Sequence, residues 1–115
     1  MRIDIRGRNM EVSDELADHV RKRFRRIGRQ VSDLAILDVE LYEERNPSIA
    51  DSQVAEATLR LKGVTLRARE ASPNMLHTIH DLSEDMRRQV KRHREKRRKR
   101  SQTRRLTARL RGRSA

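Results

Sequence analysis

Apolar residues alternate with polar ones in four short stretches of the chain, which is the pattern of strands that bury one face of a sheet. In the first stretch, Ile3 and Ile5 stand between charged residues. The four strands are predicted at about residues 2–6, 37–42, 55–61 and 64–69. Gly63 fits a hairpin turn between the last two strands, and residues 44–52, which include Pro47, are predicted to form a loop.

A second pattern, with apolar residues at every third or fourth position, predicts a helix from about residue 14 to residue 30. Ser13 is a suitable N-cap, and Asp14 and Glu15 place negative charge in the first turn, where the helix dipole favours it. The apolar stripe of this helix consists of Leu16, Val20, Phe24, Ile27 and Val31.

The same period returns later in the chain and predicts a second helix. Ser72 is positioned to cap it, with Pro73 at the first helical position, where a missing N–H costs nothing. Its apolar stripe consists of Met75, Ile79, Leu82, Met86 and Val90. Beyond about residue 96 the pattern stops, because Leu106 and Leu110 alone are too few for a core. Residues 97–115 are therefore predicted to be disordered or to form a helix induced by a partner.

These elements predict an α+β fold with the order β-α-β-β-β-α, in which two helices pack on one face of a four-stranded sheet. A chain of 115 residues has room for one domain and a tail. We expect residues 1–96 to form the domain and residues 97–115 to form a basic tail or the start of a linker.

Positive charge is concentrated at the C-terminal end. Residues 86–115 contain 15 Lys and Arg against one acid, whereas residues 1–85 contain 14 against 16. The net charge of +12 therefore combines a front part of −2 with an end part of +14. This asymmetry indicates an anionic partner, either nucleic acid or a membrane surface.

The membrane reading has little support, because two leucines are too few for stable peripheral anchoring. No stretch approaches the roughly 18 apolar residues of a spanning helix, and the N-terminus lacks the apolar segment of a signal peptide. The absence of cysteine excludes disulfides and suits a reducing compartment. We expect a soluble cytoplasmic protein that binds no membrane.

Basic residues occupy the solvent-facing side of both predicted helices when successive residues are placed 100° apart. The candidate RNA-binding residues are Arg21, Lys22, Arg23, Arg25, Arg26 and Arg29 on the first helix and Arg88, Lys91, Arg92 and Arg94 on the second. Ordinary solvation of an outer helix face is the alternative interpretation. It does not explain why acids are largely missing from residues 21–32 and 86–94, so we interpret the two rows as a phosphate-binding surface.

The type of nucleic acid follows from what the sequence lacks. One Phe and one Tyr cannot form the aromatic stacking platforms of single-strand readers, so recognition of phosphates and of folded RNA is expected. A double-stranded RNA-binding domain is a competing interpretation, since its α-β-β-β-α order is contained in the predicted one. Such domains generally carry lysines at the start of their second helix, whereas residues 72–75 here contain no base.

An enzymatic function has weaker support. His77 and His80 lie with Glu84 on one exposed side of the second helix, and such a group sometimes binds zinc. Their spacing matches no catalytic motif, and no glycine-rich phosphate loop or GxSxG turn is present. His19 borders the apolar stripe of the first helix, where a packing role is expected. We predict no enzymatic activity, no cofactor, no metal and no small-molecule substrate.

Three segments together resemble one bacterial family. They are "NMEVSDELADHVRKRFRRI" at 9–27, "VAEATLRLKGVTLRARE" at 54–70 and "NMLHTIHDLSEDMRRQVKRHREK" at 74–96. In this order and spacing they are similar to the ribosome hibernation promoting factors, also called ribosome-associated inhibitor A or sigma-54 modulation proteins. The resemblance covers about residues 1–96.

The resemblance implies a β-α-β-β-β-α domain that binds the 30S subunit, and the 70S ribosome, through 16S ribosomal RNA in the messenger and transfer RNA channel. Bound there, such proteins inhibit translation and preserve idle ribosomes. The basic positions that the resemblance implies as ribosomal RNA contacts are Arg23, Arg26, Arg29, Arg88, Arg92 and Arg94. Long members of the family add a C-terminal domain that pairs ribosomes, so the chain is either a short form or the N-terminal part of a long one.

Overall fold

The computed structural model describes residues 1–46 and 48–113, with side chains as far as residue 110. Pro47 of the predicted loop and residues 114–115 of the predicted tail lie outside the described residues. The elements are β1 (Arg2–Arg8), α1 (Asp14–Gly28), β2 (Ile36–Glu43), β3 (Gln53–Leu61), β4 (Val64–Ser72) and α2 (Met75–Arg113). The predicted α+β fold and its element order are confirmed.

The four strands form one mixed sheet in the order β1-β2-β3-β4. β1 and β2 are parallel, and α1 supplies the crossover that a parallel pair requires. The other neighbours are antiparallel. The turn between β3 and β4 contains Gly63 with a φ of +78°, a left-handed conformation that side chains disfavour, so the predicted hairpin turn is confirmed.

The hydrophobic core lies between one face of the sheet and both helices. Phe24 of α1, Leu37 of β2, Leu59 of β3 and Met86 of α2 are all fully buried in one cluster. α2 contacts β3, β4 and α1. Burial of these apolar side chains is the main stabilising contribution, and it fixes both helices on the same face of the sheet.

Helix α2 begins at Met75, so the prediction that Ser72 caps it is wrong. Ser72 is the last residue of β4, and the cap is Asn74, whose side-chain oxygen accepts a hydrogen bond from the N–H of His77 at 3.1 Å. The buried Ser72 hydroxyl is instead bonded to that of Thr78, which donates to the carbonyl oxygen of Gln53 at 3.0 Å. This hydroxyl pair fastens the first turn of α2 to the ends of β3 and β4.

Helix α2 is 39 residues long and continues past the core into the segment predicted as a tail. The described part of the predicted tail, residues 97–113, is helical, and residues 97–110 are exposed, so whether a partner induces this helix stays a prediction. No proline or glycine interrupts residues 75–111, and Arg, Lys, Leu and Ala favour helix. A helix without a buried face depends on such propensity alone and is marginally stable in water.

Candidate nucleic-acid interface

Helix α1 divides into a buried face and a basic face. Ser13 caps it, as predicted, by accepting a hydrogen bond from the N–H of Leu16 at 3.1 Å. Val20, Phe24 and Ile27 are buried against the sheet and α2. The predicted site residues of this helix are all exposed, namely Arg21, Lys22, Arg23, Arg25, Arg26 and Arg29.

A groove of about 310 Å³ runs between the two helices. The residues that line this α1–α2 groove are Lys22, Arg23, Arg26 and Ile27 of α1 and His80, Ser83, Glu84 and Arg87 of α2. The structure thus brings three of the predicted residues on α1 to one side of a shared groove. Arg25 and Arg29 lie on the outer surface of the helix, away from this lining.

One acid lies among the cations of the α1–α2 groove. Glu84 accepts a hydrogen bond from the Arg87 guanidinium at 2.8 Å, which holds the pKa of Glu84 below its usual range. Arg21 is similarly paired with Asp18 at 3.3 Å. The remaining groove cations, Lys22, Arg23 and Arg26, form no ion pair within the described residues, so an anion reaches them without displacing a carboxylate.

The predicted residues of α2 are exposed but lie on different sides of the helix. Arg92 lines a separate groove beside the β3–β4 turn, and Arg94 lines a cavity of about 580 Å³ below the connection between α1 and β2. Arg88 and Lys91 line neither of these nor the α1–α2 groove. Arg92 and Arg94 thus line different grooves from the predicted residues of α1.

Arg87 is the α2 base that lines the α1–α2 groove; the sequence places it in the basic row of the second helix, but it was not among the predicted RNA-binding residues. It lies two helical turns after His80 and one turn after Ser83, both of which line the same groove. This helical spacing was the available signal. It identifies which side of α2 Arg87 occupies, but not that α1 passes along that side.

Most arginines on the open face of the sheet are paired with carboxylates, unlike Arg23 and Arg26 of the α1–α2 groove. Arg6 contacts Glu40 at 2.8 Å, and Arg60 contacts Asp38 at 2.7 Å. Arg8 pairs with Glu40 as well, and its guanidinium stacks over the ring of Tyr42 at 4.2 Å from the centroid. These cations are engaged within the fold, so the cations available to a ligand are mainly those of the helices.

The histidines of α2 form a surface arrangement. His77 contacts Asp81 at 3.2 Å, whereas His80 lines the α1–α2 groove, so the two do not share a ligand set with Glu84. Within the part of the chain that the structure describes, no group of three or more His, Asp or Glu lies close enough to hold a metal ion. Nor does any described helix combine the length and apolar composition needed to cross a membrane.

The geometry of the α1–α2 groove suits phosphate oxygens. Long cationic side chains on one wall face a hydroxyl, an imidazole and another guanidinium on the other. Groups of this kind position a sugar–phosphate backbone without reading its bases. The lining contains no Phe, Tyr or Trp, and its one ring is the imidazole of His80, so base stacking contributes little to this surface.

Comparison with known proteins relates most of the chain to one family. The profile of the family described as "Sigma 54 modulation protein / S30EA ribosomal protein" matches residues 3–98. The match covers all six elements, although only the first part of α2.

Curated relatives carry related names. The ribosome hibernation promoting factor of Acinetobacter guillouiae is 26% identical over 95 residues, which cover 78% of this chain and 84% of that protein. The ribosome hibernation promotion factor of Picosynechococcus is 30% identical over 91 residues, covering 78% of this chain and 47% of the relative. The chain thus spans most of the first relative and about half of the second.

Solved structures show the same fold. The N-terminal domain of Protein Y from Thermus thermophilus superposes with a TM-score of 0.70 at 26% identity, covering 81% of this chain and 99% of that one. A ribosomal subunit interface protein from Coxiella burnetii gives a TM-score of 0.71 at 18% identity, covering 83% and 99%. At that lower identity, the second likeness concerns the fold alone.

Proposed function

The chain belongs to the sigma 54 modulation protein / S30EA ribosomal protein family, and we propose that it is a ribosome hibernation factor of the cytoplasm. In this proposal it binds the 30S subunit and the 70S ribosome through 16S ribosomal RNA, in the channel used by messenger and transfer RNA. Its function is occupancy and not catalysis. The bound domain excludes both RNAs, inhibits translation and preserves idle ribosomes.

The observation that carries the proposal is the α1–α2 groove, with Lys22, Arg23 and Arg26 unpaired among the described residues on one wall. Each phosphate that such cations neutralise releases condensed counterions, so a few of them supply a large part of the affinity for RNA. The hydrophobic core holds both walls in place. The groove is therefore formed before RNA binds.

We expect Arg26 to contribute directly to ribosome binding. Arg26→Glu reverses one charge in the groove and should weaken binding to 30S subunits, with the log–log salt slope reduced by about one. Arg67→Glu is the matched control, since Arg67 is exposed on β4 outside this groove and has no ion pair in the described part of the chain. Co-sedimentation at several salt concentrations measures both variants, and equal weakening by the two would contradict the assignment of the groove.

A double-stranded RNA-binding module acting on free structured RNA is the alternative function. It is favoured by the three antiparallel strands and two helices on one face, which this fold contains. A hibernation factor should prefer intact 30S or 70S particles to random duplex RNA, and bound initiator transfer RNA should displace it. Equal affinity for ribosomes and duplex, without such competition, would favour the alternative.

A further inference from the structure

We propose that the chain has a second binding site for a nucleic-acid backbone, in the groove between the β3–β4 turn and α2. This hairpin groove has a volume of about 880 Å³. Lys62 lies at the turn, and Arg92, Lys96, Arg97 and Arg100 lie along α2. That the backbone is ribosomal RNA rests on the proposed function, whereas the site itself rests on the geometry below.

The lining of the hairpin groove contains no acid. Besides its five cations, the lining includes the apolar residues Val64 and Leu66 of β4. None of the five forms an ion pair with another residue that the structure describes, in contrast to most arginines of the open sheet face. The groove therefore concentrates positive charge that the fold itself leaves uncompensated.

The cations on α2 are arranged as a row. Arg92, Lys96 and Arg100 follow one another at intervals of four residues, so they lie on one flank of the helix with a rise of about 6 Å between successive members. A row of charges at one per turn matches an extended polyanion better than a single small anion. The lining contains no Phe, Tyr or Trp, and its one ring is the imidazole of His93, which favours contact with the backbone over stacking with bases.

A hydrogen bond fixes the position of the helix beside the strand just before the groove. The Gln89 side-chain amide donates to the carbonyl oxygen of Arg67 in β4 at 2.7 Å and to Asp85 at 3.2 Å. Gln89 itself lines the end of the groove. At this end of the groove the separation of the two walls is thus set by the folded domain, which reduces the ordering that a ligand must impose.

The same flank of α2 is acidic on the other side of Gln89. Asp85 lies next to Glu70 of β4, and Asp81 is close enough to raise the pKa of Glu70 as well. The carboxylates before Gln89 repel phosphate, whereas the cations that follow Gln89 along α2 attract it. The change of sign gives the hairpin groove a defined end.

The hairpin groove and the α1–α2 groove share no lining residue. They lie on opposite flanks of α2, because Arg87 and Arg92 are separated by about 140° around the helix axis at 100° per residue. One RNA segment in the α1–α2 groove leaves the hairpin groove open. We infer that the two grooves hold two different RNA segments, with α2 between them.

The first test removes charge from one flank of α2 at a time. The triple variant Lys62→Gln, Lys96→Gln, Arg100→Gln removes three of the five positive charges of the hairpin groove. The matched control, Arg98→Gln, Arg105→Gln, Arg109→Gln, removes the same charge from the other flank of the exposed helix. All six residues are exposed, so both variants should fold.

Both variants are titrated with 30S subunits and, separately, with a synthetic RNA hairpin over a range of salt concentrations. The groove variant should lose about two to three units of log–log slope, and the control less than one. Equal losses, or no loss in the groove variant, would overturn the second site. If the wild type binds the synthetic RNA but not 30S subunits, the proposed function fails. The titration with synthetic RNA then still decides whether the hairpin groove binds RNA.

The second test locates the bound RNA. Because the chain has no cysteine, Lys62→Cys and Lys22→Cys each give a single attachment point for a hydroxyl-radical probe. On 30S subunits, the two probes should cleave 16S RNA at separate positions. Cleavage of 16S RNA from Lys22→Cys alone would overturn RNA binding by the hairpin groove. Cleavage of ribosomal protein alone from Lys62→Cys would also overturn it and would indicate an acidic peptide partner. Cleavage from neither probe would reject the proposed function itself.

Discussion

The role of an arginine in this protein depends on whether a carboxylate lies beside it. Arg8 is held between Glu40 and the Tyr42 ring, and Tyr42 donates to Glu56 at 3.0 Å, so this guanidinium is part of the sheet surface. Arg26 has no such neighbour in the described part of the chain and remains available to a ligand. Arg87 stands between these cases, because it lines the α1–α2 groove while bonded to Glu84.

Glu84 should therefore limit the affinity of the α1–α2 groove for RNA. Glu84→Gln removes a negative charge from the lining and frees the Arg87 guanidinium for phosphate. We expect tighter binding to 30S subunits and a salt slope steeper by up to about one. Glu11→Gln, at an exposed acid outside the groove, is the control, and equal tightening by both variants would show a general charge effect.

Glu70 is a second acid in an unfavourable position. Burial raises the pKa of Glu70, and the neighbouring Asp85 raises it further. The ionised form is therefore less stable in the folded chain than in the unfolded one. This penalty is absent below the ordinary pKa of Glu, about 4.3, and grows as the pH rises through the raised value.

Glu70→Gln should stabilise the protein at pH 7 and have no effect near pH 4. Because Glu70 is partly exposed, we expect a gain below about 1 kcal/mol. Thermal unfolding at the two pH values measures it, with Glu43→Gln as an exposed control that should change the melting temperature at neither pH. A lower melting temperature for Glu70→Gln at pH 7 would show that the Glu70 carboxylate is stabilising.

At the scale of elements, the exposed part of α2 is held differently from its first half. Ile79, Leu82 and Val90 are buried, whereas residues 97–110 contact no core. The first half is stabilised by packing and the rest by propensity and by its continuity with the packed part. The exposed part should therefore open without unfolding the domain.

Ser101→Pro tests this division. Proline at a helix interior costs about 3 kcal/mol, yet Ser101 is exposed and lies beyond the core, so the melting temperature should stay within about 1–2 °C of the wild type. Circular dichroism should show lost helix, and ribosome binding should weaken if the helix presents its charges as one rod. Ser101→Ala is the control, and a large fall in melting temperature for the proline variant alone would show that the exposed helix supports the fold.

The elements were predictable from sequence because each depends on a local period. The alternation of apolar and polar residues around Val39 and Ala57 predicts two of the strands. The spacing of Val20, Phe24 and Ile27 predicts which side of α1 is buried. The cap of α2 was misjudged because Ser72 and Asn74 are both good caps, and only the tertiary bond to Thr78 assigns Ser72 another role.

The candidate site was less predictable than the elements. A helical wheel shows which side of α2 carries Arg92, but not that the turn at Lys62 stands opposite it. That neighbourhood depends on the path of α2 across the sheet, which is a property of packing. The RNA contacts assigned to the predicted residues remain predictions.

At the scale of the whole molecule, shape and charge are both asymmetric. The principal extents are 69 × 29 × 18 Å, and α2 carries nearly all of the excess positive charge toward one end. The electric field of this charge should increase the rate of association with a polyanion, and that rate should fall strongly as ionic strength rises.

We expect ribosome binding by the full chain to be strongly salt dependent. If about six phosphates are neutralised, the log–log slope is about −4 to −5. Deleting residues 102–115 removes five arginines, leaves both grooves intact, and should reduce this slope without changing the melting temperature. A slope near zero for the full chain would reject electrostatic binding.

The hydroxyl pair of Ser72 and Thr78 helps to fix the rotation of α2 about its own axis. A slip of one residue at this point would rotate the helix by 100°. Arg100 lies about 33 Å further along the axis, yet the rotation would carry it from the hairpin groove toward solvent. The two buried hydroxyls, together with the buried side chains of Ile79, Leu82 and Val90, therefore determine the direction in which every charge along the helix points.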